Sequence, residues 1–470
     1  MMAPVRNVFT EVAERGFCIG CGLCVALCPA GTLVIGFNES GVYSVRDKAG
    51  TCSENCNICL RVCPFSDYSE DEDALGKELF GALGGIRHRP ETGYYLGSFV
   101  GYSKVDGHRE NGASGGLVTF ALEALLSEGL VDKVACVGST GDPVKMFKYS
   151  LCSAPEEIRA CSGSCYYPVE MSEVIGGMLR EEGRYALVGL PCFCKGVRLA
   201  MRRVPALGRR VKFILGLVCG QLKSKLFAEC VCALGGGDPH TLRRAAFRVK
   251  DPGRSASDFG IRLVSREAGQ GEREVLVHWT EGVDRIWSDR YFTPQACNFC
   301  DDVFAEVADA SYMDAWLPRY SGDPRGHSIV LVRNGQVWDI LGGESAKGAI
   351  EMRQLEIGDV IASQSGVLEA KRRELPERSR LAEEAGQRVP KKRLQLCDSR
   401  LSAFRKRIVR LTWEVSGRSA ERWLKLGKDA GRFVREFRFL SWKILMLRRI
   451  DQCFKIAVGV WRKAQRVLFH

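Results

Sequence analysis

Twelve of the 21 cysteines stand in patterns able to hold metal. Residues 18–29 read CIGCGLCVALCP, which places Cys18, Cys21 and Cys24 with two residues between neighbours and Cys28 three residues further, ahead of Pro29. Residues 52–64, CSENCNICLRVCP, repeat the arrangement with Cys52, Cys56, Cys59 and Cys63 ahead of Pro64. The repeat has one extra residue after its first cysteine. Ser53 stands where the usual spacing has a thiol, so Cys52 must reach its iron through a small change of loop. Three thiolates on a tight loop can take three corners of an iron–sulfur cube, while the fourth, one turn on, points away to a second cube. The spacing therefore predicts Cys18, Cys21, Cys24 and Cys63 on one 4Fe-4S cluster, with Cys52, Cys56, Cys59 and Cys28 on the other. Zinc also takes thiolate quartets, but two near-copies that both end in Cys-Pro argue against it.

This is the pattern of a bacterial-type two-cluster ferredoxin. So short a module has little core of its own, and its folding depends on its clusters. A second set of thiols lies farther along. Cys192 in GLPCFCKGVR and Cys219 in GLVCGQ each follow a short apolar run, and Cys297 and Cys300 form a two-residue clip in QACNFCDD. Together they could hold a third cluster or a zinc; equally, Cys192 and Cys219 could be buried apolar thiols. The nine remaining cysteines (136, 152, 161, 165, 194, 230, 232, 397 and 453) read first as small buried hydrophobes. Cys161 and Cys165 could also form a ligand or redox pair.

In residues 112–126, GASGGLVTFALEALL, the apolar positions Leu117, Phe120, Ala121, Ala124 and Leu125 recur at helical spacing. Ser114, Gly115 and Gly116 then occupy the helix start, where free N–H groups and the dipole favour a phosphate and glycine permits close approach. A serine cap before a helix is also ordinary. No proton donor stands out: His108, His278 and His327 are the candidates, and each could equally be structural.

The elements that must hold these groups alternate. Strands are expected at Val131–Val137, Tyr185–Leu190 and Val211–Val218, with helices at Gly196–Arg203 and Lys223–Leu234. Such alternation predicts an α/β core with a parallel sheet, whose ligands sit beyond the strand carboxyl ends. The chain divides into a ferredoxin module of α+β type (1–66), an acidic linker (67–97), the α/β core (98–345), a charged connecting segment (346–399) and a basic helical tail (400–470). The formal charge of +12 is uneven: residues 391–470 carry 22 Lys and Arg against 6 Asp and Glu, leaving the rest mildly acidic. In the tail, Trp423, Leu426, Ala430, Phe433, Phe437, Leu440, Ile444, Leu447, Phe454, Val458 and Trp461 form a stripe broken by Asp451. Basic amphipathic helices lie on anionic membranes or pair with a partner helix. No nucleic-acid fold accompanies the charge. The start shows no signal peptide and no run is apolar enough to span a membrane, so the expected place is the cytoplasm, with the membrane's inner face open to the tail.

In order along the chain, GASGGLVTFALEALLSEGLVDKV, YALVGLPCFCKGVRLAMRR, GLVCGQLKSKLF and CNFCDDVFAEVADASYMDAW resemble the family of coenzyme F(420) hydrogenase/dehydrogenase beta subunits. Its members are iron–sulfur flavoproteins that pass electrons between clusters, FAD and a second redox partner. That partner is an 8-hydroxy-5-deazaflavin in archaeal members and a chlorophyll-type pigment in plant and cyanobacterial relatives. The resemblance implies a flavin-binding core, a third 4Fe-4S cluster on Cys192, Cys219, Cys297 and Cys300, and the FAD diphosphate near Ser114, Gly115 and Gly116. Two elements depart from the family pattern. Its Ser-Lys-Tyr-x-x-Ser stands here as Ser164-Cys165-Tyr166-Tyr167-Pro168-Val169, and its Gly-Asp-x-Trp as Met313-Asp314-Ala315-Trp316. The expectation is an FAD-dependent iron–sulfur oxidoreductase acting on a two-electron acceptor, electrons passing through the ferredoxin clusters, the central cluster and FAD. Its partner is a redox protein or a small electron carrier. The alternatives are a relay subunit without a substrate and a structural zinc protein.

Overall fold

A computed structural model describes residues 6–48, 52, 56–267, 269, 271–393 and 401–468, with side chains as far as 457. Ser53 and Cys397 lie outside the described residues, as do the side chains of Val458 and Trp461.

Eight strands form one sheet in the order Ile350–Gln354, Gly97–Ser103, Ser328–Val332, Ala310–Asp314, Val211–Leu217, Tyr185–Gly189, Lys133–Ser139 and Phe147–Cys152. The central four, from Ala310–Asp314 to Lys133–Ser139, run parallel. Their neighbours outward pair antiparallel, so the sheet is mixed rather than wholly parallel. Tyr185–Gly189 and Ser328–Val332 are buried along their whole length, as continuous apolar runs must be when helices cover both faces. The first expected strand lies two residues later, at Lys133–Ser139. The helix expected from Gly196 spans Pro191–Arg203, because proline's fixed φ suits the first turn. A separate antiparallel sheet of Leu242–Val249, Gly260–Glu267 and Gly271–His278 was not legible in the alternation.

In the N-terminal module, the hairpin Leu33–Phe37 and Tyr43–Asp47 accompanies two short helices, Leu23–Ala26 and Ile58–Val62. Leu23 and Val62 join the same apolar core as Val197. At Gly196 an added Cβ would come within 2.4 Å of Leu23 Cδ1, so glycine there allows the module to seat on the core. The stretch read as a linker contains a packed helix, Glu72–Phe80, capped by Asp71 accepting from the Ala74 N–H at 2.9 Å. Glu72 is buried against Lys195 at 3.3 Å.

The connecting segment is likewise packed. Lys371 and Arg378 are only 2% and 1% exposed, and Arg378 pairs with Glu374 and donates to the Asn298 carbonyl. Lys371, Glu374, Glu377 and Arg378 of this charged segment point inward, each with a partner, while Arg373, Glu383 and Glu384 stay exposed. The tail forms the helices Ala403–Lys425 and Ala430–Leu468. Its stripe faces the body: Trp423, Phe433, Phe437 and Ile444 are buried, with Phe433 stacked on Phe292 at 5.5 Å and Phe437 against Tyr291 at 5.2 Å. The stripe from Trp423 to Ile444 is therefore not an outward surface for membrane or partner; its covering is intramolecular. Asp451, which broke the pattern, is buried and accepts from Ser402 Oγ at 2.6 Å. No helix of the described residues is long and apolar enough to cross a membrane.

Candidate redox site

The N-terminal thiols fall into two groups. Cys24 lies within electrostatic reach of Cys21, Cys18 and Cys63, and more weakly of Cys59 from the other group, and Cys63 lies within reach of Cys21 and Cys18. Cys52 faces Cys56 and Cys28, and Cys59 faces Cys52 and Cys56. Cys28 and Cys63 follow the ends of the short helices Leu23–Ala26 and Ile58–Val62, which sets Cys63 near Cys18 and Cys21 and Cys28 near Cys52. The loop holding Cys18 and Cys21 turns sharply at Gly20, with φ +68°, where a Cβ would strike the Tyr43 carbonyl at 2.4 Å. Burial pushes Cys21 up to about 12 and Cys24 and Cys63 well above the ordinary thiol value. Bare thiols in this setting stay protonated; only a cation among them stabilises the thiolates. For Cys28 burial acts upward, but hydrogen bonds from Thr32 and neighbouring amides more than offset it and hold the pKa low.

The central four also converge. Cys192 opens the Pro191–Arg203 helix, Cys219 follows the Val211–Leu217 strand, and Cys297 and Cys300 lie in and just after the turn Gln295–Phe299. Cys192 is within electrostatic reach of Cys300, Cys219 and Cys297. The Leu222 N–H donates to Cys297 Sγ at 3.3 Å. Burial raises Cys219 to about 12 even with Lys371 beside it. Lys371, from the segment read as a connector, donates to the Cys219 carbonyl at 3.1 Å and to that of Asp302. Burial would lower its pKa, yet the facing Cys300 and Cys219 raise it, so it remains a cation. Cys194, two residues from Cys192, is instead fully buried with its thiol on the Gly189 carbonyl.

Cys219 also lines a cavity of about 440 Å³. Trp279, Trp287, Phe259 and Tyr166 form aromatic walls, and Ser114 and Gly116 stand at one end. Gly115 does not face the cavity: its N–H is spent on Ser328 Oγ at 2.9 Å, and a Cβ there would meet the Gly101 carbonyl at 2.5 Å. Glycine at 115 serves packing, whereas Gly116, at φ +77°, starts the Leu117–Ser127 helix beside the cavity. Arg248 reaches in from a bulge between Leu242–Val249 and Gly260–Glu267, with its own φ at +63°. Bulges re-aim side chains in this way. Its guanidinium pairs with Asp314 and lies 4.1 Å over the Phe259 ring, while its buried Nε has no partner. Lys223, also on the wall, donates to the Tyr291 carbonyl at 2.7 Å and to Thr293 Oγ1 at 3.1 Å. Burial, with Arg290 nearby, pushes its pKa well below the usual lysine value.

None of the three candidate histidines lines the cavity. His108 is locked between Ser103 Oγ and Glu123, and His278 lies on Asp251. Lys223 carried a faint signal in its position four residues after Cys219. Arg248 carried none, because its bulge exists only through strand pairing.

Residues 98–176 match the N-terminal part, and residues 182–357 the C-terminal part, of the coenzyme F(420) hydrogenase/dehydrogenase beta subunit; residues 17–66 match a 4Fe-4S dicluster domain. The chain belongs to the family of coenzyme F(420) hydrogenase/dehydrogenase beta subunits. This beta-subunit-type chain is 25% identical over 219 residues to one of the subunits of F(420)H(2) dehydrogenase of Methanosarcina mazei, covering 44% of the chain and 55% of that protein. Against coenzyme F(420)-dependent sulfite reductase of Methanocaldococcus jannaschii it is 22% identical over 362 residues, covering 73% and 47%. It thus spans about half the length of these curated relatives. A chain of the F(420)-reducing nickel–iron hydrogenase complex of Methanosarcina barkeri aligns with a TM-score of 0.47 at 17% identity, covering 63% of this chain and 94% of that one. Family membership and the dicluster match make this an iron–sulfur protein of the beta-subunit type. Both elements that depart from the family pattern contribute to the cavity lining, Ser164, Cys165 and Tyr166 from one and Asp314 and Trp316 from the other. Where the family places a lysine this chain has Cys165, and the cations on the wall are Arg248 and Lys223.

Proposed function

We propose that the chain is an iron–sulfur flavoprotein oxidoreductase passing electrons between 4Fe-4S clusters, FAD and a two-electron organic acceptor of deazaflavin-like or other type. The observation that carries this reading is that a thiol of the central quartet, Cys219, forms part of the cavity wall that also holds aromatic faces and an unpartnered guanidinium nitrogen. Cys18, Cys21, Cys24 and Cys63 would hold one cluster, Cys52, Cys56, Cys59 and Cys28 the second, and Cys192, Cys219, Cys297 and Cys300 the third. The cavity is of ligand size. FAD, when bound there, exchanges electrons singly with clusters and in pairs with a substrate. The helix start at Ser114 and Gly116, with Arg248, favours its diphosphate. Trp279, Trp287 and Phe259 exclude water from the ring, and Lys371 offsets charge on the central cluster. Anaerobic purification with iron, sulfide and flavin analysis tests this: about twelve iron atoms and one FAD per chain are expected. About eight iron atoms and no flavin would support a relay role instead, a reading favoured by the relative that is itself one subunit of a dehydrogenase. Zinc without iron would remove both.

The partner is a redox protein or small carrier in the cytoplasm. The outer face of the Ala430–Leu468 helix supports a peripheral place at the membrane. Phe439 and Trp442 are 64% and 54% exposed and stacked on each other, with Met446 and Ile450 following and Arg438, Lys443 and Arg449 around them. Exposed aromatics ringed by cations complement an anionic lipid surface.

A further inference from the structure

We propose that Cys136, Cys152 and Cys161, lying apart from both cluster groups, bind a single soft metal ion, with zinc(II) as the probe. Their Sγ atoms all lie within 4.8 Å of one another, and those of Cys136 and Cys152 are 3.4 Å apart. Zinc–thiolate bonds of about 2.3 Å in tetrahedral geometry place sulfurs about 3.8 Å from each other. The trio brackets that spacing and needs little movement to close on one ion.

Three separate elements create the trio. Cys136 lies within Lys133–Ser139, and Cys152 ends the antiparallel edge strand Phe147–Cys152. In the register Cys136 opposes Ser150 and Val134 opposes Cys152, so the two thiols are diagonal neighbours on one face. Cys161 caps the Pro155–Ala160 helix and turns back over the same face. Space for its sulfur comes from Gly138, where a Cβ would lie 2.9 Å from Cys161 Sγ. Cys136 and Cys152 are buried while Cys161 is half-buried, so the ion would reach the trio from the Cys161 side. Binding would replace thiol protons by the metal, released to solvent. The ion would tie the sheet edge to the segment that continues into Gly163, Ser164 and Cys165 on the cavity wall. Its role would be to position that wall.

The test uses the anaerobically prepared chain with its iron in place, incubated with zinc(II) and washed with a weak chelator. Metal analysis should find one zinc per chain with iron content unchanged, and zinc-edge X-ray absorption should show sulfur neighbours at about 2.3 Å. Cys161→Ala, a change at a half-buried helix end, should abolish retained zinc and leave iron and cluster absorption as they were; Cys152→Ala should do the same. Failure to retain zinc, equal retention by Cys161→Ala, or a shell of nitrogen and oxygen alone would overturn the proposal. Zinc gained only as iron is lost would place it in the clusters and equally overturn it.

Discussion

Cys297 and Cys300 come from one clip, whereas Cys192 and Cys219 arrive from different strand ends, so the quartet tests residue-scale assignments most sharply. Cys297→Ser should lower iron by about four atoms per chain and leave the ferredoxin-type signals in place; an unchanged iron content would refute the central cluster. Lys371→Met removes a buried cation beside Cys219 and Cys300. Reduction adds negative charge, so losing this cation should lower the central cluster's potential by an amount on the order of tens of millivolts, read by a potentiometric titration followed by electron paramagnetic resonance. Arg248→Met should cut co-purifying FAD severalfold at constant iron, because the proposed contact to the diphosphate is lost with the guanidinium. The cysteine motifs were legible because their spacing is local. Arg248 was not, since its direction depends on a bulge made by pairing with a strand farther along the chain.

At the scale of elements, the acidic run around residues 69–85 shows why composition misleads. It reads as a linker, yet Asp71 caps a helix that buries Glu72 against Lys195. Burial alone would raise Glu72, but Lys195, Arg393 and Lys392 outweigh it and hold the carboxyl down at about 2 against an ordinary 4.5. A depressed folded pKa gives stability that is complete above pH 4.5 and is lost as pH falls toward 2. Glu72→Gln should therefore lower stability by about 3 kcal/mol at neutral pH, since it strands a buried ammonium. Thermal melts of variant and parent should converge as pH drops through that window. The tail helices carry a second element-scale expectation. Trp423→Ala should destabilise by about 3–5 kcal/mol because its ring is enclosed by Phe292 and Phe433. Phe439→Ser with Trp442→Ser should leave stability nearly unchanged and reduce partition onto anionic vesicles; equal, negligible binding of the parent to anionic and neutral vesicles would sink the membrane role.

Across the whole molecule, the ferredoxin module, the connecting segment and the tail all seat on the α/β core instead of hanging from it. Arg393 makes this concrete: it pairs with Asp73 of the supposed linker and Glu306 of the core at once. Iron removal by oxidant and chelator should consequently loosen the 6–66 region first, where hydrogen exchange would rise, and then weaken the surfaces that it covers on the Pro191–Arg203 helix.

From sequence alone came the two-cluster ferredoxin pattern, the alternating core and the separation of an acidic body from a basic tail. These depend on local spacing, on strand and helix periodicity and on counting charge, none of which needs distant contacts. Tertiary structure decided the rest. It turned the tail's apolar stripe inward, buried the connector's charges beside the thiols, made Gly115 a packing residue, aimed Arg248 into the cavity and drew Cys136, Cys152 and Cys161 together. Each of these outcomes depends on residues far apart in the chain meeting across a packed sheet, and no local pattern encodes which partner they meet.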